Sequence, residues 1–233
     1  MGSVGSVGSV VSVLYLFDID GTLLQTAGSG RAAFDAVFAE RHGVADASRG
    51  IRYGGKTDPA IIEEIYAARL GRPPSGEEVA SFLDAYLPRL HRLLAAGGVQ
   101  VLAGVEDALA YLKPRPGVVL GVATGNVRAG AEAKLAAAGL LHWFELGGYG
   151  SDSHVRAELV ARAIERGRDR AGGEVREVVV VGDTIHDIAA ARACGATVCA
   201  VATGGDPPEA LAGADAVLAS MRELPGWHAR RFA

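Results

Sequence analysis

The sequence is poor in cysteine and lysine, and it has no excess of basic residues. Cys194 and Cys199 are the two cysteines among 233 residues. Two cysteines are too few for a disulfide framework, so we expect reduced thiols in or near the core. The formal net charge of −4 gives no electrostatic basis for nucleic-acid binding. Only three of the 23 basic residues are lysines, so a functional cation is expected to be an arginine in most places.

Long hydrophobic runs are also missing. No apolar segment reaches the roughly 20 residues that a transmembrane helix needs, so no membrane partner is predicted. Residues 2–10 repeat Gly-Ser-Val three times and lack the basic start and large apolar residues of a secretory signal. We therefore predict a low-complexity tail over residues 1–10 and a cytoplasmic location. Hydrophobic residues still make up 49% of the chain, which is enough for a sizeable core.

Apolar strands alternate with helices in two parts of the chain, residues 11–25 and 99–233. The predicted strands cover residues 11–17, 118–124, 178–181, 197–201 and 216–218, with a short segment at 144–147. The predicted helices cover residues 105–112, 128–138, 155–168, 185–194 and 208–211. This alternation predicts an α/β fold whose core is a Rossmann-like parallel sheet, and the fully apolar strands predict helices on both faces.

The region between those parts, residues 26–98, contains no strand-like segment. Its apolar spacing predicts three helices, at residues 28–42, 58–70 and 77–96. Asp58 is the expected N-cap of the second helix with Pro59 at its first position, and Pro88 is expected to disturb the third. The sequence therefore predicts an α-helical domain inserted into the core.

Asp18 and Asp20 follow the first predicted strand, where acids are unusual because an unpaired buried charge is costly. Ligands of open α/β sheets bind at the carboxyl ends of the strands. Two carboxylates at such a place can hold a hard cation such as Mg²⁺, and one can act as a nucleophile. The residues alone leave open a second interpretation, an exposed turn after a strand.

Polar side chains also end two later strands. Thr124 can bind an anion together with the amides that follow it, although an ordinary helix N-cap is the better explanation of Thr124 taken alone. Asp183 and Asp187 lie one helical turn apart and can share one face of a helix. The alternative for this pair is a helix start whose first turn favours acidic residues.

Together these segments resemble the motifs of the haloacid dehalogenase (HAD) superfamily. The first motif is Asp18 to Thr22 (Asp-Ile-Asp-Gly-Thr), the second is Thr124, and the fourth is Gly182-Asp183 with Asp187. Many members have a lysine as third motif, and the candidate here is Arg156, with a surface arginine as the alternative. The resemblance extends from Val13 to about Leu218.

Within the superfamily, the chain is most similar to the phosphoglycolate phosphatase group. Residues 30–34 (Gly-Arg-Ala-Ala-Phe) and 55–59 (Gly-Lys-Thr-Asp-Pro) carry this similarity, and the helical insertion corresponds to a C1 cap. The resemblance implies a Mg²⁺-dependent phosphatase that acts on a small phosphomonoester such as phosphoglycolate or a sugar phosphate. The implied partner is thus a small phosphorylated molecule, with no nucleic acid, and the chain is expected to be a monomer or homodimer.

The resemblance also implies a role for each motif residue. Asp18 would be the nucleophile that forms an aspartyl-phosphate, and Asp20 the general acid and base. Thr124 and Arg156 would compensate the charge of the phosphoryl group, with Gly125 and Asn126 in the same binding loop.

The implied Mg²⁺ ligands are acidic residues from the first and fourth motifs. They comprise the carboxylates of Asp18 and Asp183, the backbone carbonyl of Asp20, and Asp187 either through water or as a support of the site. In the inserted domain, Arg52 and Lys56 are candidates to contact the leaving group, and a solvated glycine-rich loop is the equally good alternative.

Three other functions stay open at this point. A phosphonatase would need a lysine of the cap for a Schiff base, and Lys56 is the only one there. A β-phosphoglucomutase-like enzyme would retain the phosphoryl group and pass it to a sugar. A non-catalytic binding protein would be expected to have lost some of the acids. A dehalogenase is disfavoured because Asp20 and Asp183 are both present.

Overall fold

A six-stranded parallel sheet forms the centre of the computed structural model, which describes residues 11–171 and 174–232. The strands, including one separate antiparallel pair, are β1 Val11–Phe17, β2 Leu24–Gln25, β3 Gln100–Val101, β4 Val118–Thr124, β5 Leu146–Tyr149, β6 Val175–Gly182, β7 Thr197–Val201 and β8 Ala216–Leu218. The α-helices are α1 Ser29–His42, α2 Asp58–Leu70, α3 Gly76–Ala95, α4 Val105–Leu112, α5 Arg128–Ala137, α6 Arg156–Ala171, α7 Ile185–Ala193 and α8 Leu224–Arg231.

The order of the sheet is β5-β4-β1-β6-β7-β8, and every neighbouring pair is parallel. Successive side chains of β1 enter opposite faces: Tyr15 and Phe17 join one apolar cluster, and Leu14 and Leu16 join another. Both faces are buried because helices cover both, which explains why the strands are apolar throughout. The predicted α/β class with a Rossmann-like parallel sheet is confirmed.

The inserted helices α1, α2 and α3 have an apolar core of their own. Phe34, Phe38, Phe82 and Tyr86 lie in this core with their rings in tilted or edge-to-face contact. The chain enters and leaves the insertion through the antiparallel pair β2 and β3. The domain limits at residues 26 and 98 stay a prediction.

Several elements differ from those expected. Thr57, not Asp58, is the N-cap of α2, because its hydroxyl accepts a hydrogen bond from the Ala60 N–H. The helix α3 continues through Pro88. The strand expected at 144–147 lies at Leu146–Tyr149, and the short helix expected at 208–211 is a 3-10 turn at Ala210–Gly213.

Some features were not predicted, and one prediction cannot be compared with the structure. The unpredicted elements are α8, the β2–β3 pair and two 3-10 turns, at Leu141–Trp143 and Met221–Glu223. Cys194 and Cys199 are both free thiols. No helix among the described residues combines the length and apolarity that crossing a membrane requires. The predicted tail over residues 1–10 lies outside the described residues.

Candidate active site

Three adjacent strands bring the motif residues to one edge of the sheet. Asp18 follows β1, Thr124 ends β4 and Asp183 follows β6, and β1 lies between the other two strands. The Asp18 N–H still donates to the Val181 carbonyl at 2.9 Å, so the sheet fixes the backbone of Asp18. Parallel strands end at the same edge, and this explains why residues more than 100 positions apart meet here.

A buried cluster of carboxylates lies at this edge. One oxygen each from Asp18, Asp183 and Asp187 lies within 4.8 Å of the others, and all three residues are buried. Asp183 is held from both sides: Thr22 Oγ1 donates to its Oδ1 at 2.9 Å, and the Gly205 N–H donates to its Oδ2 at 2.8 Å.

Glycine is required where the backbone approaches Asp183 most closely. A Cβ at Gly204 would lie 1.7 Å from Asp183 Oδ2, and one at Gly21 would lie 2.5 Å from the same atom. Gly21 also has a φ of 83°, a conformation that side chains disfavour. The motif glycine and Gly204 therefore make room for the Asp183 carboxylate.

The electrostatics of the cluster favour a bound cation. Burial, with the neighbouring carboxylate of Asp18, raises the pKa of Asp183 to about 7. Burial also raises the pKa of Asp18 to about 6, although Arg156 opposes the rise. Buried carboxylates that repel one another are stabilised by a hard divalent ion, and oxygen donors are the ligands that Mg²⁺ prefers. The residues therefore fit a Mg²⁺ site.

Arg156 joins the carboxylate cluster to the inserted domain. Its Nη2 lies 2.6 Å from Asp187 Oδ1 and 3.0 Å from Asp18 Oδ2, and its Nη1 donates to the Gly55 carbonyl at 3.3 Å. Burial alone would lower the pKa of Arg156, but the carboxylates of Asp187 and Asp18 outweigh burial and raise it. Arg156 is therefore a charged group beside Asp18, not a surface residue.

Asp187 has donors on both of its oxygens. Arg156 occupies Oδ1, while the N–H and the hydroxyl of Thr184 donate to Oδ2 at 3.0 and 2.7 Å. These bonds make Asp187 part of the capping box that begins α7. The arrangement suits a residue that supports the site better than one that ligates a metal directly.

Asp20 is held apart from the carboxylate cluster by a group that sequence analysis missed. Lys134 Nζ donates to both Asp20 oxygens, at 2.8 and 2.7 Å, and to Asn126 Oδ1 at 2.7 Å. Asn126 Nδ2 donates to Asp20 Oδ2 and to Thr124 Oγ1, both at 2.8 Å. A signal for Lys134 was available: it follows Ala131 by three positions, on the face of α5 that the apolar spacing predicts to be buried.

The start of α2 packs against the loop after β4. The Asp58 N–H donates to the Gly125 carbonyl at 2.8 Å, and the Val127 N–H donates to Asp58 Oδ2 at 2.9 Å. Asp58 is buried, and this burial raises its pKa to about 6. A Cβ at Gly125 would lie 2.0 Å from the Lys56 carbonyl oxygen, so glycine is needed for this close approach.

A cavity of about 230 Å³ lies between the sheet edge and the inserted helices. Its lining includes most of the predicted site residues, namely Asp18, Asp20, Thr124, Gly125, Asn126, Lys56 and Arg156, and also Arg31 and Lys134. Arg52 does not reach this cavity. Its side chain is 82% exposed and pairs with Asp206 at 3.3 Å in a separate groove. The Lys56 ammonium pairs with Glu64.

Several known proteins resemble this chain in sequence or in fold. A family model described as haloacid dehalogenase-like hydrolase matches residues 14–195. The chain is 32% identical to the probable phosphatase IndB of Dickeya dadantii over 82% of this chain and 81% of that protein. It is 31% identical to a phosphoglycolate phosphatase of Caulobacter vibrioides, covering 90% and 87% of the two chains. The structure is similar to that of CbbY from Rhodobacter sphaeroides in complex with phosphate, with a TM-score of 0.68, 24% identity, and coverage of 92% and 96%.

Proposed function

We infer the reaction of this chain from its family: it belongs to the haloacid dehalogenase-like hydrolases. We propose that it is a Mg²⁺-dependent phosphatase that hydrolyses a small phosphomonoester through an aspartyl-phosphate. Relatives named as phosphatases support the hydrolysis of phosphate esters. The cavity of about 230 Å³ suits a small leaving group, such as that of phosphoglycolate or of a sugar phosphate.

One observation carries the proposal: Arg156 and two further buried carboxylates converge on Asp18 at the edge of the cavity. Phosphoryl transfer needs an in-line nucleophile and compensation of the negative charge on the transferring group. Asp18 supplies the nucleophilic oxygen, and the Arg156 guanidinium supplies a planar set of donors for phosphoryl oxygens. When bound by Asp18, Asp183 and the Asp20 carbonyl, Mg²⁺ would neutralise the repulsion between the carboxylates and the substrate.

The first half of the reaction transfers the phosphoryl group to the enzyme. An Asp18 oxygen attacks phosphorus, and the bond from phosphorus to the leaving oxygen breaks. Asp20 lines the same cavity and, in its protonated form, would give a proton to the leaving oxygen and become a carboxylate. The Thr124 hydroxyl accepts bonds from Asn126, so its own proton is free to point at a phosphoryl oxygen.

The environment of Lys56 bears on the phosphonatase alternative. A Schiff base requires an amine that is presented to the substrate, and the Lys56 Nζ is instead paired with Glu64. This pairing supports phosphomonoester hydrolysis over phosphonate cleavage. The roles of Arg52 and Lys56 toward the leaving group stay predictions, as do the cytoplasmic location and the monomeric or homodimeric state.

The proposal is tested by phosphate release across a panel of phosphomonoesters. The panel contains phosphoglycolate, sugar phosphates, nucleotides and pyrophosphate, each with Mg²⁺ and with EDTA. We expect Mg²⁺-dependent release, and we expect D18N to lower it by more than about 10³-fold while the protein stays folded. Unchanged turnover by folded D18N would refute the assigned nucleophile.

A further inference from the structure

We propose that Lys134 is a positioning residue that holds the Asp20 carboxylate ready for hydrolysis of the aspartyl-phosphate. The inference rests on the proposed function and deepens it. It explains how this chain would release the phosphoryl group to water at once and not retain it for transfer to a second acceptor.

Lys134 is built into the protein as a fixed ammonium. Its side chain is only 6% exposed, and its three donated bonds match the three hydrogens that an ammonium carries. A buried lysine is costly unless it is paired, and here Asp20 provides the pairing through both carboxylate oxygens. Within the described residues, Asp20 is the carboxylate with which Lys134 forms a salt bridge.

The surroundings of Lys134 keep the ammonium in place. Asn126 accepts one of its bonds and donates to Asp20 and Thr124, so the four side chains form one hydrogen-bonded network. A Cβ at Gly30 would lie 3.9 Å from Lys134 Nζ, which places the start of α1 against the same group. Without Lys134, Asp20 would keep a single side-chain donor and could turn toward solvent, since its side chain is 42% exposed.

The position of Asp20 determines the second half of the reaction. A water oxygen attacks phosphorus, the bond from phosphorus to the Asp18 oxygen breaks, and its electron pair returns to the Asp18 carboxylate. Asp20 takes one proton of the water, and the product leaves as monohydrogen phosphate. Because the contacts of Lys134 hold Asp20 without any bound substrate, the base is in place as soon as the leaving group has gone. Misplacing such a group by about 1 Å costs on the order of 100-fold in rate.

The test uses 4-nitrophenyl phosphate, whose leaving group departs as a phenolate and needs no proton from Asp20. Rapid mixing follows nitrophenolate release, and acid quench with intact-mass measurement follows phosphoenzyme. For K134M we expect a burst of about one nitrophenolate per enzyme, then phosphate release slowed by about 10–100-fold with accumulated phosphoenzyme. The wild type and the K134R variant, which keeps the charge and donors, should accumulate far less phosphoenzyme.

Two controls separate the possible outcomes. Lys113 pairs with Glu145 on the surface, and K113M should behave as the wild type. If K134M does not fold, the same test is made with K134Q, whose side chain is also neutral. Phosphate release by K134M at the wild-type rate, or a slowed burst, would overturn the role of Lys134 while D18N still supports the phosphatase. Absence of phosphate release by the wild type would instead overturn the proposed function and this inference with it.

Discussion

At the scale of single residues, the Asp183 carboxylate depends on the absence of a side chain at Gly204. The G204A variant would place a methyl group 1.7 Å from Asp183 Oδ2, in a site that Thr22 and Gly205 already close. Asp183, the proposed metal ligand, must then move, and mutating groups that position a ligand typically costs about 10–100-fold in metal affinity. We expect the Mg²⁺ concentration for half-maximal phosphate release to rise by at least about 10-fold.

The neighbouring glycine provides the control for that prediction. A Cβ at Gly205 would meet its nearest atoms at 3.9 Å, an ordinary contact, and G205A keeps the N–H that donates to Asp183. G205A should therefore need the same Mg²⁺ concentration as the wild type. If G204A needs the same Mg²⁺ concentration as the wild type, Asp183 is not a ligand of Mg²⁺.

Candidate site residues differ in how readily the sequence reveals their position. The shared position of Asp18, Thr124 and Asp183 was predictable because each stands at the end of an apolar strand, and parallel strands end together. Lys134 was missed because its partner, Asp20, is 114 positions away, and a lysine in a helix usually faces solvent. Arg52 was a candidate for contact with the leaving group because it lies near Lys56 in the same loop. Sequence does not determine the direction of a loop side chain, and Arg52 pairs with Asp206 in a separate groove.

At the scale of elements, Gly125 determines how closely the start of α2 approaches the loop after β4. A G125A variant would place a methyl group 2.0 Å from the Lys56 carbonyl oxygen, so the two backbones must separate. The bond from the Asp58 N–H to the Gly125 carbonyl should then be lost. We expect kcat/KM to fall by about 10–100-fold, because the cavity is no longer closed on its substrate.

Hydrogen exchange of residues 54–58 measures this separation directly, and it should become faster in G125A. The matched control is G76A, at the first position of α3, where a Cβ would meet no atom within 4 Å. If exchange of residues 54–58 stays at the wild-type rate in G125A, the close approach is not what holds α2 against the core.

Helices and strands with a clear local sequence pattern were predicted with nearly correct bounds, and elements without such a pattern were missed. The strand at Val118–Thr124 and the helix at Val105–Leu112 have the expected bounds, because apolar runs and helical periodicity mark them. The pair β2–β3 has two residues in each strand and is formed by segments about 75 positions apart, so no local pattern reveals it. The N-cap shifted from Asp58 to Thr57 because both residue types cap well, and Asp58 is used by Val127 instead.

At the scale of the whole molecule, buried acids couple the folding free energy to pH and to Mg²⁺. Burial raises the pKa of Asp18 to about 6 and that of Asp183 to about 7. Both values lie above those of an unfolded chain, so the unfolded state releases these protons first as pH rises. The contribution of these two groups to the free energy of unfolding is therefore greatest below about pH 4, and it falls progressively up to about pH 7.

Mg²⁺ should reverse that loss, because it binds the deprotonated carboxylates of the folded state. We expect the Tm increase on adding Mg²⁺ to be small at about pH 5 and to grow up to about pH 8. Thermal unfolding in Mg²⁺ and in EDTA across this range measures the difference. Subtracting the Tm in EDTA from the Tm in Mg²⁺ cancels the contributions of groups far from the site. One such group is His228, whose pKa is lowered by burial.

The D183N variant separates the carboxylate from the rest of the protein. Asn can still accept the bond from Thr22 or Gly205 through its oxygen, but it carries no buried charge. In EDTA at about pH 8, D183N should therefore unfold at a higher temperature than the wild type, and Mg²⁺ should raise the Tm of D183N far less than that of the wild type.

A lower Tm of D183N in EDTA would mean that the hydrogen bonds of Asp183 stabilise the fold by more than the burial of its charge destabilises it. If Mg²⁺ raises the Tm of the wild type equally at about pH 5 and at about pH 8, the cation binds away from Asp18 and Asp183. In the expected result the metal-free site destabilises the fold, because the buried carboxylates that would bind a cation repel one another when no cation is bound.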